Sequence, residues 1–177
     1  MPQVKNALYD IATTVLGPDV FRAKRVIDVG CLRFAQTKAI KSLGADVIGI
    51  DSCKREEPPE GILFEQTDFM KWEPAAPVDV LYMSNVAQFI PTADVMAKIA
   101  ALGPKTLIVR VMYDFPEPNW PADELLPLYF TEPEDWTRYF ADLGYETKHA
   151  RKYEFAGQDF KHRDRTFRFT EYIGVKK

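Results

Sequence analysis

Three aspartates follow three short apolar segments of the chain, and their spacing points to one ligand. Asp28 lies in the segment RVIDVG just before Gly30, and Asp51 ends the segment DVIGID 23 residues later. A carboxylate about 20 positions after a strand–glycine turn suits a ribose, because it accepts hydrogen bonds from two adjacent hydroxyls. Asp68 and Phe69 follow the segment ILFEQ, where an aspartate suits an adenine amino group and the ring suits the base. These residues predict a ligand that contains adenosine.

The segments that carry these residues alternate with helical ones. Periodic apolar residues predict helices over about residues 4–17, 34–43 and 92–102, the last capped by Thr92, and a fourth that opens with the capping box Thr131–Glu134. Short apolar segments predict strands in RVIDVG, DVIGID, ILFEQ, VDVLYMS and TLIVRV, and a hairpin over about residues 145–155 and 166–175. A proline-rich loop is expected over residues 112–130.

Strands that alternate with helices form βαβ units. The chain is therefore predicted to be an α/β protein, with a doubly wound, mostly parallel seven-stranded sheet, helices on both faces and a C-terminal antiparallel hairpin. Ligands of such sheets bind at the carboxyl ends of the strands, near the point where the strand order reverses. The three aspartates would meet there.

The composition is that of an ordinary globular protein. The chain has 177 residues, of which 46% are hydrophobic and 28% charged, and a single domain over residues 1–177 is expected. The net charge of −3 argues against binding nucleic acid through bulk charge. No apolar run spans a membrane and residues 1–15 lack a signal-peptide pattern, so a cytoplasmic protein is expected. The cysteines and histidines, two of each, are too few for a metal site.

Several segments resemble the motifs of the class I S-adenosylmethionine-dependent methyltransferases. The run VIDVGCLRFAQTKAIKSLGADVIGID is similar to their first two motifs, and TDFMKW to the third. The segments DVLYMSNVAQFIP, LGPKTLIV and FTEPEDWTRYFADLGYE resemble the strand-four motif, the turn before strand five and the helix before the last hairpin. The resemblance covers residues 24–177 as a Rossmann-like core and leaves residues 1–17 as an N-terminal helix.

The resemblance implies S-adenosylmethionine as the cofactor. Asp28 and Gly30 would lie under its methionine part, and Asp51 would bind its ribose. Arg33 in the same turn as Gly30 is expected to hold the methionine carboxylate, because a guanidinium pairs with a carboxylate through two parallel hydrogen bonds. The expected cofactor-binding residues are Asp28, Gly30, Cys31, Arg33, Asp51, Ser52, Asp68, Phe69, Ser84 and Asn85.

The implied reaction is transfer of the sulfonium methyl group to a nucleophile. Such an in-line displacement needs positioning and electrostatics rather than a covalent enzyme intermediate. Ser84, Asn85 and Gln88 would lie near the sulfonium, and Gln88 is one expected catalytic residue. Asp114 is the other, as the base for an oxygen acceptor, with His149 as its alternative. The segment SNVA after strand four lacks the Asn/Asp-Pro-Pro-Tyr type of turn, which disfavours methylation of adenine or glutamine amino groups.

The chain departs from the family at two positions. Leu32 and Phe34 stand where D-x-G-x-G-x-G has its second and third glycines. Because those glycines allow positive φ and close approach of the backbone, the two side chains are expected to crowd the methionine part or to force another loop path. The chain is then either an active methyltransferase or a catalytically inactive methyltransferase-like binding or partner subunit. A nicotinamide-dependent oxidoreductase is a third interpretation, although only Gly30 of G-x-G-x-x-G is present.

Plainer interpretations stand beside these. Asp51 and Asp68 are also typical turn residues, Arg33 is also typical of a solvent-facing helix start, and both cysteines are expected to be buried, unreactive thiols. Residues for recognising the acceptor are confined to the first helix, the loop 112–130, the terminal hairpin or a second subunit. A small-molecule acceptor is favoured. RNA contact through the basic hairpin, which carries seven Lys and Arg residues between positions 148 and 168, is the alternative.

Overall fold

The predicted strands assemble into one mixed sheet in the computed structural model, which describes residues 7–54, 56–114, 133–158 and 164–177. The helices are α1 (Leu8–Leu16), α2 (Ala35–Ser42), α3 (Thr92–Leu102) and α4 (Pro133–Asp142). The strands are β1 (Arg25–Val29), β2 (Asp46–Asp51), β3 (Leu63–Gln66), β4 (Val80–Ser84), β5 (Thr106–Asp114), β6 (Tyr145–Gln158) and β7 (Asp164–Lys176). A turn of 3-10 helix, Ala87–Phe89, follows β4.

The strand order places the carboxyl ends of five parallel strands along one edge. The sheet runs β3-β2-β1-β4-β5-β7-β6, with β1 to β5 parallel and β7 antiparallel to both β5 and β6. The order reverses between β1 and β4, which is where an α/β sheet binds its ligand. The predicted sheet with its C-terminal antiparallel hairpin is therefore confirmed.

Apolar side chains cover both faces of the sheet and hold the strand ends in place. One face packs on α1 and α2 through a cluster that includes Leu8, Ile40, Val26, Val80 and Tyr82. The other packs on α3 and α4 through a cluster that includes Ile27, Val95, Ile99, Trp136 and Phe140. Val26 and Ile27 are adjacent yet both fully buried, as expected for a strand covered on both faces. Each such side chain contributes about 1.5–3 kcal/mol to folding.

The ends of two elements differ from the prediction. Pro91, not Thr92, precedes α3, because the Pro91 carbonyl accepts the first helical hydrogen bonds from the N–H groups of Asp94 and Val95. The prediction that Thr92 caps this helix is therefore wrong. The loop expected from residue 112 is also wrong at its start, because β7 pairs with β5 as far as Asp114. Residues 115–130 and Thr131 of the predicted capping box lie outside the described residues. Within the described ranges, no helix is long and apolar enough to cross a membrane.

Candidate functional site

A cleft of about 740 Å³ opens at the carboxyl edge of the sheet. Its walls come from the turns that follow β1 and β2 and from the segments that follow β3 and β4. The ten residues expected to bind the cofactor all line it, namely Asp28, Gly30, Cys31, Arg33, Asp51, Ser52, Asp68, Phe69, Ser84 and Asn85. The fold thus brings together residues that are distant in the sequence, while their role in binding stays a prediction.

The turn between β1 and α2 keeps a left-handed backbone although Leu32 and Phe34 stand where the motif that the sequence resembles has glycines. The φ angle is +73° at Gly30, +48° at Leu32 and +57° at Phe34. Phe34 is buried, packs edge-on against Phe64 with 5.3 Å between ring centroids, and does not line the cleft. The prediction that Phe34 crowds the methionine part of the cofactor is therefore wrong. Burial of its ring compensates for a left-handed conformation that costs about 1–2 kcal/mol. Leu32 lines the cleft and is 49% exposed, so its crowding stays a prediction.

Asp51 joins the two turns that border the cleft. Its Oδ2 accepts from the N–H of Leu32 at 3.0 Å, and its Oδ1 accepts from the N–H of Cys53 at 2.9 Å. A carboxylate oxygen has two acceptor sites, so each oxygen keeps room for another donor. The turn role and the predicted ribose role of Asp51 are therefore compatible.

Asp28 lines the cleft but is only 2% exposed. The hydroxyl of Thr37 donates to its Oδ2 at 2.6 Å. Burial raises the pKa of the Asp28 carboxyl to about 7; the Thr37 hydrogen bond lowers the pKa and the charge of Asp51 raises it. The cleft thus contains a carboxyl group whose charge changes near neutral pH.

The two cysteines differ in environment. Cys31 is buried, and burial together with the charges of Asp28 and Asp51 raises the pKa of its thiol to about 12. A thiol that stays protonated at neutral pH is a poor nucleophile, which favours the unreactive interpretation. Cys53 is exposed, so the expectation that it is buried is wrong. It lies in the exposed turn after β2, where its N–H is bound by Asp51.

Asp68 and Phe69 lie where the chain leaves β3. Oδ1 of Asp68 accepts from the N–H of Met70 at 2.9 Å, a bond typical of an aspartate that opens a turn. The Asp68 side chain is exposed, whereas Phe69 is 5% exposed and has Nζ of Lys98 6.0 Å from its ring centroid. Asp68 therefore has a structural role that leaves its other oxygen accessible.

The residues after β4 separate into two groups. Ser84 and Asn85 line the cleft, with Asn85 in a left-handed conformation at φ +60°. Gln88 is fully buried, does not line the cleft, and has neither amide atom hydrogen-bonded among the described residues. Asp114 pairs with Arg168 through the β5–β7 ladder, and its side chain lies outside the described part of the structure. Catalysis by Gln88 and Asp114 stays a prediction.

Arg33 stands at the rim of the cleft. Its side chain is 70% exposed, and its Nε lies 3.7 Å from Oε1 of Glu56. At that exposure an ion pair contributes little, so the guanidinium is not committed to Glu56. Its role toward a ligand carboxylate stays a prediction beside the solvent-facing alternative.

A row of polar side chains runs across four strands and reaches the cleft at Ser84. The sequence interpretation missed its two central members, Arg110 and Glu171. Ser84, Arg110, Glu171 and Arg151 pair in one register across β4, β5, β7 and β6, and we call them the cross-strand row. Nε and Nη2 of Arg110 donate to Oε1 of Glu171 at 3.1 and 2.5 Å, and Nη2 of Arg151 donates to its Oε2 at 3.1 Å. The sequence does contain a signal for this pair, because Arg110 is the one charged residue of the apolar segment TLIVRV and Glu171 is the one charged residue of FTEYIGV.

His149, the alternative base, lies beside this row. Its Nε2 is 3.7 Å from Oε2 of Glu171. Among the described residues, no three His, Cys, Asp or Glu side chains form a group that would hold a metal ion. His162 lies outside the described residues.

Comparisons with known proteins agree on the fold. No protein-family model matches the chain, and no curated protein matches its sequence. TehB from Haemophilus influenzae matches with a TM-score of 0.71 at 17% identity, over 100% of this chain and 64% of that one. Magnesium protoporphyrin IX methyltransferase from Synechocystis PCC 6803 with bound S-adenosylmethionine matches with a TM-score of 0.65 at 16% identity. The match covers 96% of this chain and 78% of that one.

A third solved structure extends this comparison. The 1,6-didemethyltoxoflavin-N1-methyltransferase from Burkholderia thailandensis, with bound 1,6-didemethyltoxoflavin and S-adenosylhomocysteine, matches with a TM-score of 0.65 at 18% identity, over 98% of this chain and 80% of that one. The chain therefore has the fold of the class I S-adenosylmethionine-dependent methyltransferases.

Proposed function

We propose that the chain is a methyltransferase that binds S-adenosylmethionine in the cleft and transfers its methyl group to a small molecule. The observation that carries the proposal is the convergence of Asp28, Asp51 and Asp68 on one cleft at the reversal of strand order. Two solved structures with this fold contain S-adenosylmethionine or S-adenosylhomocysteine. The left-handed turn through Leu32 and Phe34 supports binding, because that turn forms without the glycines.

The residues of the cleft suit the parts of this cofactor. Asp51 has acceptor capacity left for the two ribose hydroxyls, and Asp68 keeps an accessible oxygen for the adenine amino group. Asp28 lies where the methionine part is expected, and Arg33 at the rim would hold its carboxylate. When bound, the cofactor supplies a methyl group activated by a sulfonium.

Catalysis in such a site depends on holding the acceptor in line with that methyl group. Ser84 and Asn85 would position the acceptor at the end of β4. The two catalytic residues proposed are Gln88, which is buried in the 3-10 turn that follows this segment, and Asp114, which would take the proton of an oxygen acceptor. An amine or thiol acceptor needs no such base.

A small molecule is favoured over RNA by the pairing of the basic hairpin residues. Arg151, Arg168 and Lys148 each lie within an ion pair, with Glu171, Glu154 and Glu146 respectively. Phosphate binding depends on cations that are available to the backbone of the nucleic acid. The cytoplasmic location and the single domain over residues 1–177 stay predictions.

Calorimetric titration with S-adenosylhomocysteine tests the proposal. The wild type should bind it, and Asp51→Ala should weaken binding at least tenfold, because each charge-assisted hydrogen bond contributes about 1.5–3 kcal/mol. Asp46→Ala, at the exposed opposite end of β2, is the matched control and should bind as the wild type does. Absence of binding by the wild type at millimolar ligand would favour the inactive partner subunit, and binding of NAD instead would favour the oxidoreductase.

The same titration tests Arg33. Arg33→Met should lose more than tenfold in affinity for S-adenosylhomocysteine and little for adenosine, which lacks the carboxylate. Equal losses for both ligands, or none for either, would assign Arg33 to the solvent-facing surface.

A further inference from the structure

Lys98 of α3 carries a buried positive charge next to the cleft. Its side chain is 7% exposed and does not line the cleft. Burial of an ammonium group is unfavourable unless its N–H groups meet acceptors. Nζ of Lys98 donates to the backbone carbonyl of Trp72 and, at 3.2 Å, to Oε1 of Glu73. The Glu73 side chain is 84% exposed, so that ion pair contributes little, and the Trp72 carbonyl is the buried partner.

The Trp72 carbonyl ends the turn that contains Asp68 and Phe69, the two residues expected to hold the adenine. The N–H of Trp72 donates to the carbonyl of Asp68 at 3.0 Å and to that of Phe69 at 3.3 Å, which closes the turn. The indole N–H of Trp72 donates to Oε2 of Glu65 on β3 at 2.8 Å. Trp72 is therefore held by β3 through its side chain and by α3 through its carbonyl, and its position determines that of the turn.

Lys98 also approaches the ring that lines the cleft. Its Nζ lies 6.0 Å from the ring centroid of Phe69, the outer limit at which a cation attracts an aromatic face. Phe69 lines the cleft and Lys98 is buried, so the ammonium supports the ring from the protein interior. A methionine at position 98 would fill similar space without a buried charge. The ammonium therefore adds a directional bond to the Trp72 carbonyl and an attraction to Phe69.

We propose that Lys98 is a positioning residue that makes the cleft selective for adenine, because it holds the turn from Asp68 to Trp72 against α3. The inference rests on the proposed function and adds a residue that determines which nucleobase is accepted. One oxygen of Asp68 is bound by the N–H of Met70, and the other would accept from the adenine amino group.

The two contacts of the base differ in how much they depend on this turn. A hydrogen bond to Asp68 requires a heavy-atom distance of no more than about 3.2 Å, so a shift of the turn by about 1 Å would break it. Stacking of a base on Phe69 tolerates such a shift, because every base has an aromatic face. Lys98 thus acts on the discrimination between adenine and hypoxanthine more than on the affinity for nucleosides in general.

Calorimetric titration of the full chain with S-adenosylhomocysteine and with S-inosylhomocysteine tests this role. The second ligand has a carbonyl in place of the adenine amino group and gives Asp68 no donor there, so the wild type should bind it about tenfold more weakly or worse. Lys98→Met should weaken S-adenosylhomocysteine and leave S-inosylhomocysteine nearly unchanged, so that the two affinities differ by about threefold or less. Glu73→Gln is the matched control, because it removes the exposed partner of Lys98 and keeps the carbonyl bond. It should discriminate as the wild type does.

Hydrogen exchange of the wild type, followed residue by residue by NMR, tests the same inference without a variant. The backbone N–H groups of Lys71 and Trp72 both donate to the carbonyl of Asp68 and report on the closed turn. If Lys98 holds the turn in place, these two groups should exchange slowly before any ligand is added, and S-adenosylhomocysteine should protect them little further.

Four results would overturn the inference and leave the proposed function intact. These are a wild type that binds both ligands equally, a Lys98→Met variant that discriminates as the wild type does, equal losses for both ligands in that variant, and a turn that is protected only after ligand is added. Equal losses would assign Lys98 a purely structural role. A wild type that binds neither ligand would instead overturn the proposed function, and this inference with it.

Discussion

The two halves of the carboxyl edge stabilise their carboxyl groups in different ways. Over β1 and β2, Asp28 and Asp51 are satisfied by a hydroxyl and by backbone N–H groups. Over β5, β7 and β6, the carboxylate of Glu171 is satisfied by Arg110 and Arg151. The first half therefore leaves carboxylate oxygens at the cleft that can accept hydrogen bonds from a ligand, whereas the carboxylate of the second half holds β5, β7 and β6 together.

The largest expected effect on stability comes from Glu171, in the half of the edge formed by β5, β7 and β6. Glu171→Gln leaves two guanidinium groups around a neutral side chain, and breaking a buried ion pair costs about 3–5 kcal/mol. Glu154→Gln is the matched control on the same hairpin, because Glu154 pairs with Arg168 at 59% exposure and such pairs contribute less than about 1 kcal/mol. Urea denaturation of both variants measures the difference. Equal losses would show that the buried row is no more important to folding than a surface pair.

The next effect is a difference in stability between substitutions at Phe34 and at Leu32, which both have a left-handed backbone in the turn after β1. Phe34→Gly loses a buried ring, which costs about 3–5 kcal/mol, and relieves left-handed strain of about 1–2 kcal/mol, so a net loss of about 1–4 kcal/mol is expected. Leu32→Gly relieves similar strain at an exposed position and should change stability by less than about 1 kcal/mol. Denaturation of the two variants gives the comparison. A larger loss for Leu32→Gly than for Phe34→Gly would contradict the packing described for this turn.

The smallest effect is a pH dependence from Asp28. Its folded pKa of about 7 lies above the ordinary value of 3.8, so the folded state holds a proton that the unfolded state has lost. This contribution to stability is complete below pH 3.8 and disappears as pH rises through 7, with a loss of about 2 kcal/mol between pH 5 and pH 7. Asp28→Asn removes the titration, so the stability of the wild type relative to the variant should fall over that range. A constant difference between the two proteins would show that Asp28 is charged throughout.

The elements and the cleft could be predicted because they depend on local patterns. Apolar runs fix the strands, and an aspartate after each run reaches the carboxyl edge once the sheet is parallel. The burial of the Phe34 ring could not be predicted, since it depends on contact with Phe64 of β3. Arg110 and Glu171 are 61 residues apart and form one pair only because β7 lies against β5. Long-range pairing of this kind leaves no periodic signal in the sequence.

A crystal structure of the chain with S-adenosylhomocysteine tests the proposed cofactor site most directly. The account predicts ribose hydroxyls within hydrogen-bond distance of Asp51 and the thioether sulfur beside Ser84. A nucleoside bound away from Asp51 would contradict it.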